Sequence, residues 1–190
     1  MLETPFDLSE MTQSNPIPPA PLPQSDFGAL ASYHGPNGFH WLVRGWLGGM
    51  PRPGLFQPIE KDLASLRQMG VDVLVTLTDE WQPPVDKIEA EGIKSRYVAI
   101  PDMHPPSFEQ AVATCAAVAG DLAEGRRVVY HCRGGKGRAG TLLACQLIWH
   151  GETGEEAIAH VKRRNRYWVE SDSQMEFLHE FARRVREISA

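Results

Sequence analysis

Val128-Val129-Tyr130-His131-Cys132-Arg133-Gly134-Gly135-Lys136-Gly137-Arg138-Ala139-Gly140-Thr141 is the stretch that decides the fold. Its opening residues are β-branched or aromatic and read as a short buried strand over 127–131. Gly134, Gly135 and Gly137 then let the backbone curl tightly and turn its N–H groups inward as an anion nest. Residues 140–150 read as an apolar helix. Its first N–H groups and the positive end of its dipole converge on the same spot. A dianionic phosphate suits that environment.

Cys132 opens the loop. The positive potential that holds phosphate also favours a thiolate, the nucleophilic form of cysteine. Five residues separate Cys132 from Arg138, whose guanidinium is able to grip two phosphoryl oxygens at once. A buried structural cysteine is a poor alternative, because Arg133 and the glycines make a poor core. A nucleotide-binding P-loop needs Ser or Thr directly after Gly-Lys, whereas Gly137 follows Lys136 here.

Outward from the loop, strands and helices alternate. Residues 39–43 read as a first strand, followed by Trp46-Leu47 and a Gly-Gly turn. Residues 58–69 read as a helix, 71–77 as a buried strand, 84–91 as a short helix and 93–100 as a strand. Ser107 caps a helix running to about residue 124, and two further helices span 154–165 and 172–188. The expected fold is α/β, a mostly parallel central sheet with helices on both faces and the anion loop between a strand and a helix. Ligands in such folds bind beyond the carboxyl ends of the strands. Prolines crowd residues 16–23, so residues 1–25 read as a disordered Pro-rich tail and 26–190 as the folded domain.

The 190-residue chain has a formal net charge of -5, which disfavours general binding to nucleic acid or anionic membrane. No apolar run approaches the roughly 18 residues needed to cross a bilayer, and the N-terminal residues lack a secretory apolar core. Three cysteines without a CxxC pair point to a reducing, cytoplasmic setting. Cys115 and Cys145, both on apolar helices, read as core residues. The basic run Lys162-Arg163-Arg164 reads as the C-terminal decoration of a helix.

With these residues in view, HCRGGKGRAGT resembles the signature loop of the protein tyrosine phosphatase superfamily, in particular the small atypical dual-specificity type. The stretches FHWLVRGWLGG, VLVTLTDEW, YVAIPDMHPPS and VESDSQ occur in that family's order, across about residues 38–185. The resemblance implies catalysis through a phosphocysteine intermediate, with no cofactor and no metal. Cys132 becomes the nucleophile and Arg138 the phosphate clamp. Arg133, Gly134, Gly135, Lys136 and Gly137 complete the phosphate cradle, and His131 supports the loop. Asp102, thirty residues before Cys132, matches the general acid, and Gln174 a glutamine that positions the attacking water. Asp79 or Glu80 stands where a carboxylate orients Arg138. One residue departs from the pattern: Ala139 replaces the Ser or Thr whose hydroxyl helps the sulfur leave, so hydrolysis of the intermediate is expected to be slow.

The resulting expectation is a monomeric phosphatase for phosphotyrosine, with phosphoserine and phosphothreonine as further substrates. A non-protein phosphomonoester such as a phosphoinositide stays open, since Arg133 and Lys136 add positive charge. A weakly catalytic phosphopeptide-binding module stays open as well. A rhodanese-type sulfur transferase fits poorly, given Asp102 and the cysteine-arginine spacing.

Overall fold

A computed structural model describes residues 35–189. Its centre is a five-stranded sheet in the order β1-β2-β5-β3-β4. The strands are β1 (His40–Val43), β2 (Leu47–Pro51), β3 (Val73–Thr78), β4 (Lys94–Ile100) and β5 (Val128–Cys132). Only β1 runs antiparallel to its neighbour; the pairs β2–β5, β5–β3 and β3–β4 are parallel. The helices are α1 (Ile59–Gln68), α2 (Val85–Ala90), α3 (Phe108–Ala123), α4 (Gly137–Trp149), α5 (Gly154–Arg164) and α6 (Asp172–Ser189).

Both faces of the sheet are covered, so the strands carry apolar residues on both sides. On β3, Val73, Val75 and Leu77 join the large core under α3–α6, while Leu74 joins the smaller core with Leu63, Leu66 and Ile88 of α1 and α2. On β5, Val128 and Tyr130 point one way and Val129 the other. This is the period-two alternation of a central strand. Helix α3 begins with a reciprocal cap, in which Ser107 Oγ accepts from Gln110 N–H and Gln110 Oε1 accepts from Ser107 N–H. Thr153 and Glu156 build the same device on α5.

Two expectations need correction. Gly48-Gly49 is not a turn: both residues lie within β2, paired with Val129 and Tyr130 of β5. A Cβ on Gly49 would stand 2.9 Å from Leu143 and 3.0 Å from Trp168. The glycines therefore let α4 and Trp168 approach the strand, a close-approach use of glycine that mimics a turn signal in sequence. Helix α4 starts at Gly137 rather than residue 140, so Arg138, Ala139 and Gly140 form its first turn. Gly140 has no room for a side chain, since a Cβ would lie 2.5 Å from Trp168 Cβ. The low helix propensity of two glycines concealed a turn held by tertiary contacts. The proposed tail, residues 1–25, lies outside the described residues, as does the start of the proposed 26–190 domain.

Candidate active site

Strand β5 ends at Cys132, whose backbone is paired with Pro51 at the end of β2. The loop that follows folds back over β2. Gly135 adopts φ 66°, and a Cβ there would lie 2.3 Å from Pro51 N and 2.4 Å from Met50 C. Only glycine satisfies both conditions, the left-handed backbone and the contact with another main chain. Arg133 O accepts from Arg52 N–H at 3.1 Å, and Gly135 O accepts from the indole N–H of fully buried Trp168 at 3.0 Å. The loop is thus tied from both flanks.

Cys132 is 3% exposed and Arg138 1% exposed. The Arg138 guanidinium is held by Glu80 in a two-pronged pair, Nη1–Oε2 at 2.8 Å and Nη2–Oε1 at 3.0 Å. Nη1 also donates to Ile100 O at 3.0 Å. Asp79 stands further off, 3.6 Å from Nη1, so the orienting carboxylate is Glu80. The Arg138 hydrogen bonds hold the Glu80 carboxyl down at about 2. Arg138 Nε is buried without a hydrogen-bond partner in the protein, a cationic donor left over for an anion.

Asp102 reaches the same guanidinium, its Oδ1 lying 3.0 Å from Nη2, while its side chain stays 61% exposed. It sits at the end of β4 on a loop where Met103 takes a positive φ of 62°. Asp102, thirty residues before Cys132 in sequence, is thereby brought to the loop that Cys132 and Arg138 bound, at the carboxyl ends of β5 and β4. His131 is fully buried and exchanges a 2.8 Å hydrogen bond between Nε2 and Thr76 Oγ1. Burial pushes its imidazole down to about 3, so it is neutral and structural at physiological pH.

The remaining sequence candidates surround this centre. Gln174 is fully buried, and its Oε1 accepts from Glu170 N–H at 2.9 Å and Ser171 N–H at 3.2 Å. With Ser171 Oγ accepting from Gln174 N–H, Ser171 and Gln174 form a reciprocal cap on α6. A Cβ on Gly137 would meet Gln174 Nε2 at 2.9 Å, so the carboxamide lies directly against the loop. Lys136 is exposed, and its Nζ sits over the ring of Tyr167 at 5.2 Å; Arg166 covers the same ring at 5.0 Å. Arg133 and Gly134 are exposed. Thr141 Oγ1 donates back to Gly137 O at 2.8 Å, so it does not replace the hydroxyl missing at Ala139. Cys115 and Cys145 are fully buried, and burial pushes both thiols up. They are core residues.

Sequence reasoning missed Trp168, Ile100 O, Arg52 and Glu170. Trp168 gave a faint signal as a lone tryptophan between a basic run and an acidic cap. The others act through main-chain groups or through contacts that only folding creates.

A cysteine heading a glycine-rich anion loop, an arginine closing it and a carboxylate over the mouth define a phosphatase of the protein tyrosine phosphatase superfamily. More narrowly, residues 48–152 match the family described as Tc-R-P, polymorphic toxin system, DSP-PTPase phosphatase, and the chain belongs to that family. Among curated proteins it is similar to phosphatidylglycerophosphate phosphatase PTPMT2 of Arabidopsis thaliana, 25% identical over 130 residues, which cover 66% of this chain and 57% of the relative. It is also similar to cyclin-dependent kinase inhibitor 3 of Rattus norvegicus, 28% identical over 133 residues, 65% of this chain and 63% of the relative. The chain thus spans 57% and 63% of the length of these two relatives. The solved structure of Tk-PTP in its active form aligns with a TM-score of 0.70 and 28% identity, covering 78% of this chain and 98% of that one.

Proposed function

We propose that this protein hydrolyses phosphomonoesters through a phosphocysteine intermediate, with phosphotyrosine in proteins as its principal substrate. The observation that carries the reading is Arg138. It is a buried cation clamped by Glu80, with an unpartnered Nε, in electrostatic interaction with Cys132 and with Asp102 on its Nη2.

In the first step Cys132 Sγ attacks phosphorus, forming the S–P bond as the P–O bond to the leaving group breaks. Asp102, as the neutral acid, gives its proton to the leaving oxygen. Arg138 and the loop N–H groups hold the equatorial oxygens as charge spreads over them. In the second step Asp102 takes a proton from water, which attacks phosphorus. The S–P bond breaks, giving inorganic phosphate and the thiolate. The Asp102–Arg138 pair belongs to the resting arrangement. An arriving phosphate replaces Asp102 on the guanidinium and frees the carboxyl for proton transfer. Gln174 Nε2, facing Gly137, is the part of that side chain available to orient the water. Half-buried Trp81, whose ring lies 5.8 Å from that of His131, is the aromatic surface proposed to receive a phenyl ring.

The second reading is a lipid or inositol phosphate. It is favoured by the stacked cations Lys136 and Arg166 on Tyr167 and by the name of the Arabidopsis relative. The test is hydrolysis of p-nitrophenyl phosphate with chelator present, comparing the wild type with Cys132→Ser and Asp102→Asn. Vanadate-sensitive turnover that Cys132→Ser abolishes and Asp102→Asn lowers about 10²-fold or more supports the mechanism. Absence of turnover with retained phosphopeptide binding sinks it. A panel of phosphotyrosyl and phosphoseryl peptides and a short-chain phosphoinositide then separates the substrate classes by kcat/KM.

A further inference from the structure

Gly137 begins α4, and its N–H is one of the donors expected to receive the phosphate. In this structure that N–H already has a partner: it donates to Glu170 Oε2 at 3.0 Å. A Cβ on Gly137 would lie 3.0 Å from the same oxygen, so the carboxylate rests against the loop main chain itself.

The backbone around Glu170 is built to put it there. Val169, immediately before it, is buried and adopts φ 63°. A β-branched residue in the left-handed region is a genuine outlier, and such strain persists only where the surroundings over-determine it. The surroundings here are specific. Trp168 anchors to Gly135 O, and Glu170 N–H is received by the buried Gln174 carboxamide. Ser171 Oγ donates to Met103 O of the Asp102 loop at 3.0 Å. Three independent ties therefore hold the turn that presents an anion to an anion-binding loop. A carboxylate in that position stands where a phosphoryl oxygen would otherwise compete for the N–H, and it repels a dianion nearby.

Accepting the phosphatase reading, we infer that Glu170 is a resident competitor for the phosphate site, a specificity-determining carboxylate that must release Gly137 N–H before a phosphoryl group is fully seated. It weakens the hold on free phosphate and on any substrate whose only recognition is the phosphoryl group. Substrates with further contacts to the rim displace it. The side chain is exposed, so solvent screens the repulsion and the effect is moderate.

The test is calorimetric titration of the intact chain with inorganic phosphate, for wild type, Glu170→Ala and Glu170→Gln, alongside melting temperature and p-nitrophenyl phosphate kinetics. The expected result is phosphate binding tightened about 3–10-fold in Glu170→Ala, the range of one ordinary net hydrogen bond, because the exposed carboxylate is screened. Glu170→Gln should fall between, since it keeps an acceptor but loses the charge. KM should fall more than kcat changes. Phosphate binding that is unchanged or weaker in Glu170→Gln, at an unaltered melting temperature, overturns the inference and shows Glu170 to be a cap on Gly137. Tightened phosphate binding in a protein without turnover supports the competitor role while removing the enzymatic reading. Turnover with no change in phosphate binding does the reverse.

Discussion

At Ala139 a single missing oxygen separates this loop from the pattern it otherwise follows. The residue is fully buried in the first turn of α4, and the next hydroxyl along the helix, on Thr141, is committed to Gly137 O. The departing sulfur therefore lacks that donor, and dephosphorylation of Cys132 is expected to limit turnover. Ala139→Ser should raise kcat about tenfold, close to the worth of one hydrogen bond to a charged group, and abolish the pre-steady-state burst expected of the wild type; stopped-flow release of p-nitrophenol reads both. His131 makes a different prediction. The unfolded chain protonates an ordinary imidazole near 6.5, but the folded one resists until about 3. Between those values the unfolded state holds the extra proton, so stability is complete above pH 6.5 and is lost as pH falls towards 3. One proton gives a slope of about 1.4 kcal/mol per pH unit. Glu80, lowered from 4.5 to about 2, adds loss in the lower part of that window only. Urea titrations of His131→Gln should show a slope shallower by one proton between pH 6 and 4.5; an unchanged slope would place the titration elsewhere. Cys132, Arg138 and Asp102 were legible because their spacing and chemistry are local or match a family pattern. Glu80 was left level with Asp79, because only the turn after β3, where Thr78 Oγ1 donates to Trp81 O at 2.7 Å, decides which carboxylate faces the arginine.

Elements approach one another closely at this site where glycine removes a side chain. Gly135 crosses β2, Gly49 admits α4, and Gly140 lets α4 lie on the turn at Trp168 and Val169. Buried strands β3 and β5 were legible from β-branched runs, and α3 from its Ser107 cap. Strand β2 and the first turn of α4 were not, because glycine chosen for close approach is indistinguishable in one sequence from glycine chosen for a bend. The consequence is testable at Gly140. A methyl group there would stand 2.7 Å from Val169 N and 2.8 Å from Trp168 Cα. Backbone cannot rotate away as a side chain tip does, so the turn must shift. Gly140→Ala should cost about 1–3 kcal/mol of stability, the usual range for overpacking. It should also loosen the Trp168–Gly135 bond, lowering kcat/KM by more than the loss of folded protein explains. Activity per folded molecule, measured below the melting transition, checks this, and an unchanged value would mean that the turn does not support the loop.

Across the whole molecule, the two ends of the sheet carry different duties. Cys132, Arg138 and Asp102 lie at the carboxyl ends of the strands. At the opposite end, Asp121 of α3 is 2% exposed and faces three cations: Arg96 at 2.8 Å, Arg126 at 2.9 Å and Lys94 at 3.7 Å. Lys94 and Arg96 belong to the edge strand β4, and Arg126 to the turn entering β5. One carboxylate thus fastens a helix, an edge strand and the entry to the central strand. Removing its charge leaves the three cations without their shared counter-ion, although their own exposure of 26–48% lets water take up part of the loss. Asp121→Asn should therefore destabilise the fold by about 1.5–3 kcal/mol. That corresponds to a melting temperature lower by about 3–10 °C for a domain of this size. Strand β4 nonetheless delivers Ile100 O and Asp102 to the site from its far end, so kcat/KM at 20 °C should change less than twofold. A large fall in kcat/KM without a fall in melting temperature would show that the edge strand transmits its anchoring to the acid loop, and that stability and catalysis are not divided between the two ends of the sheet.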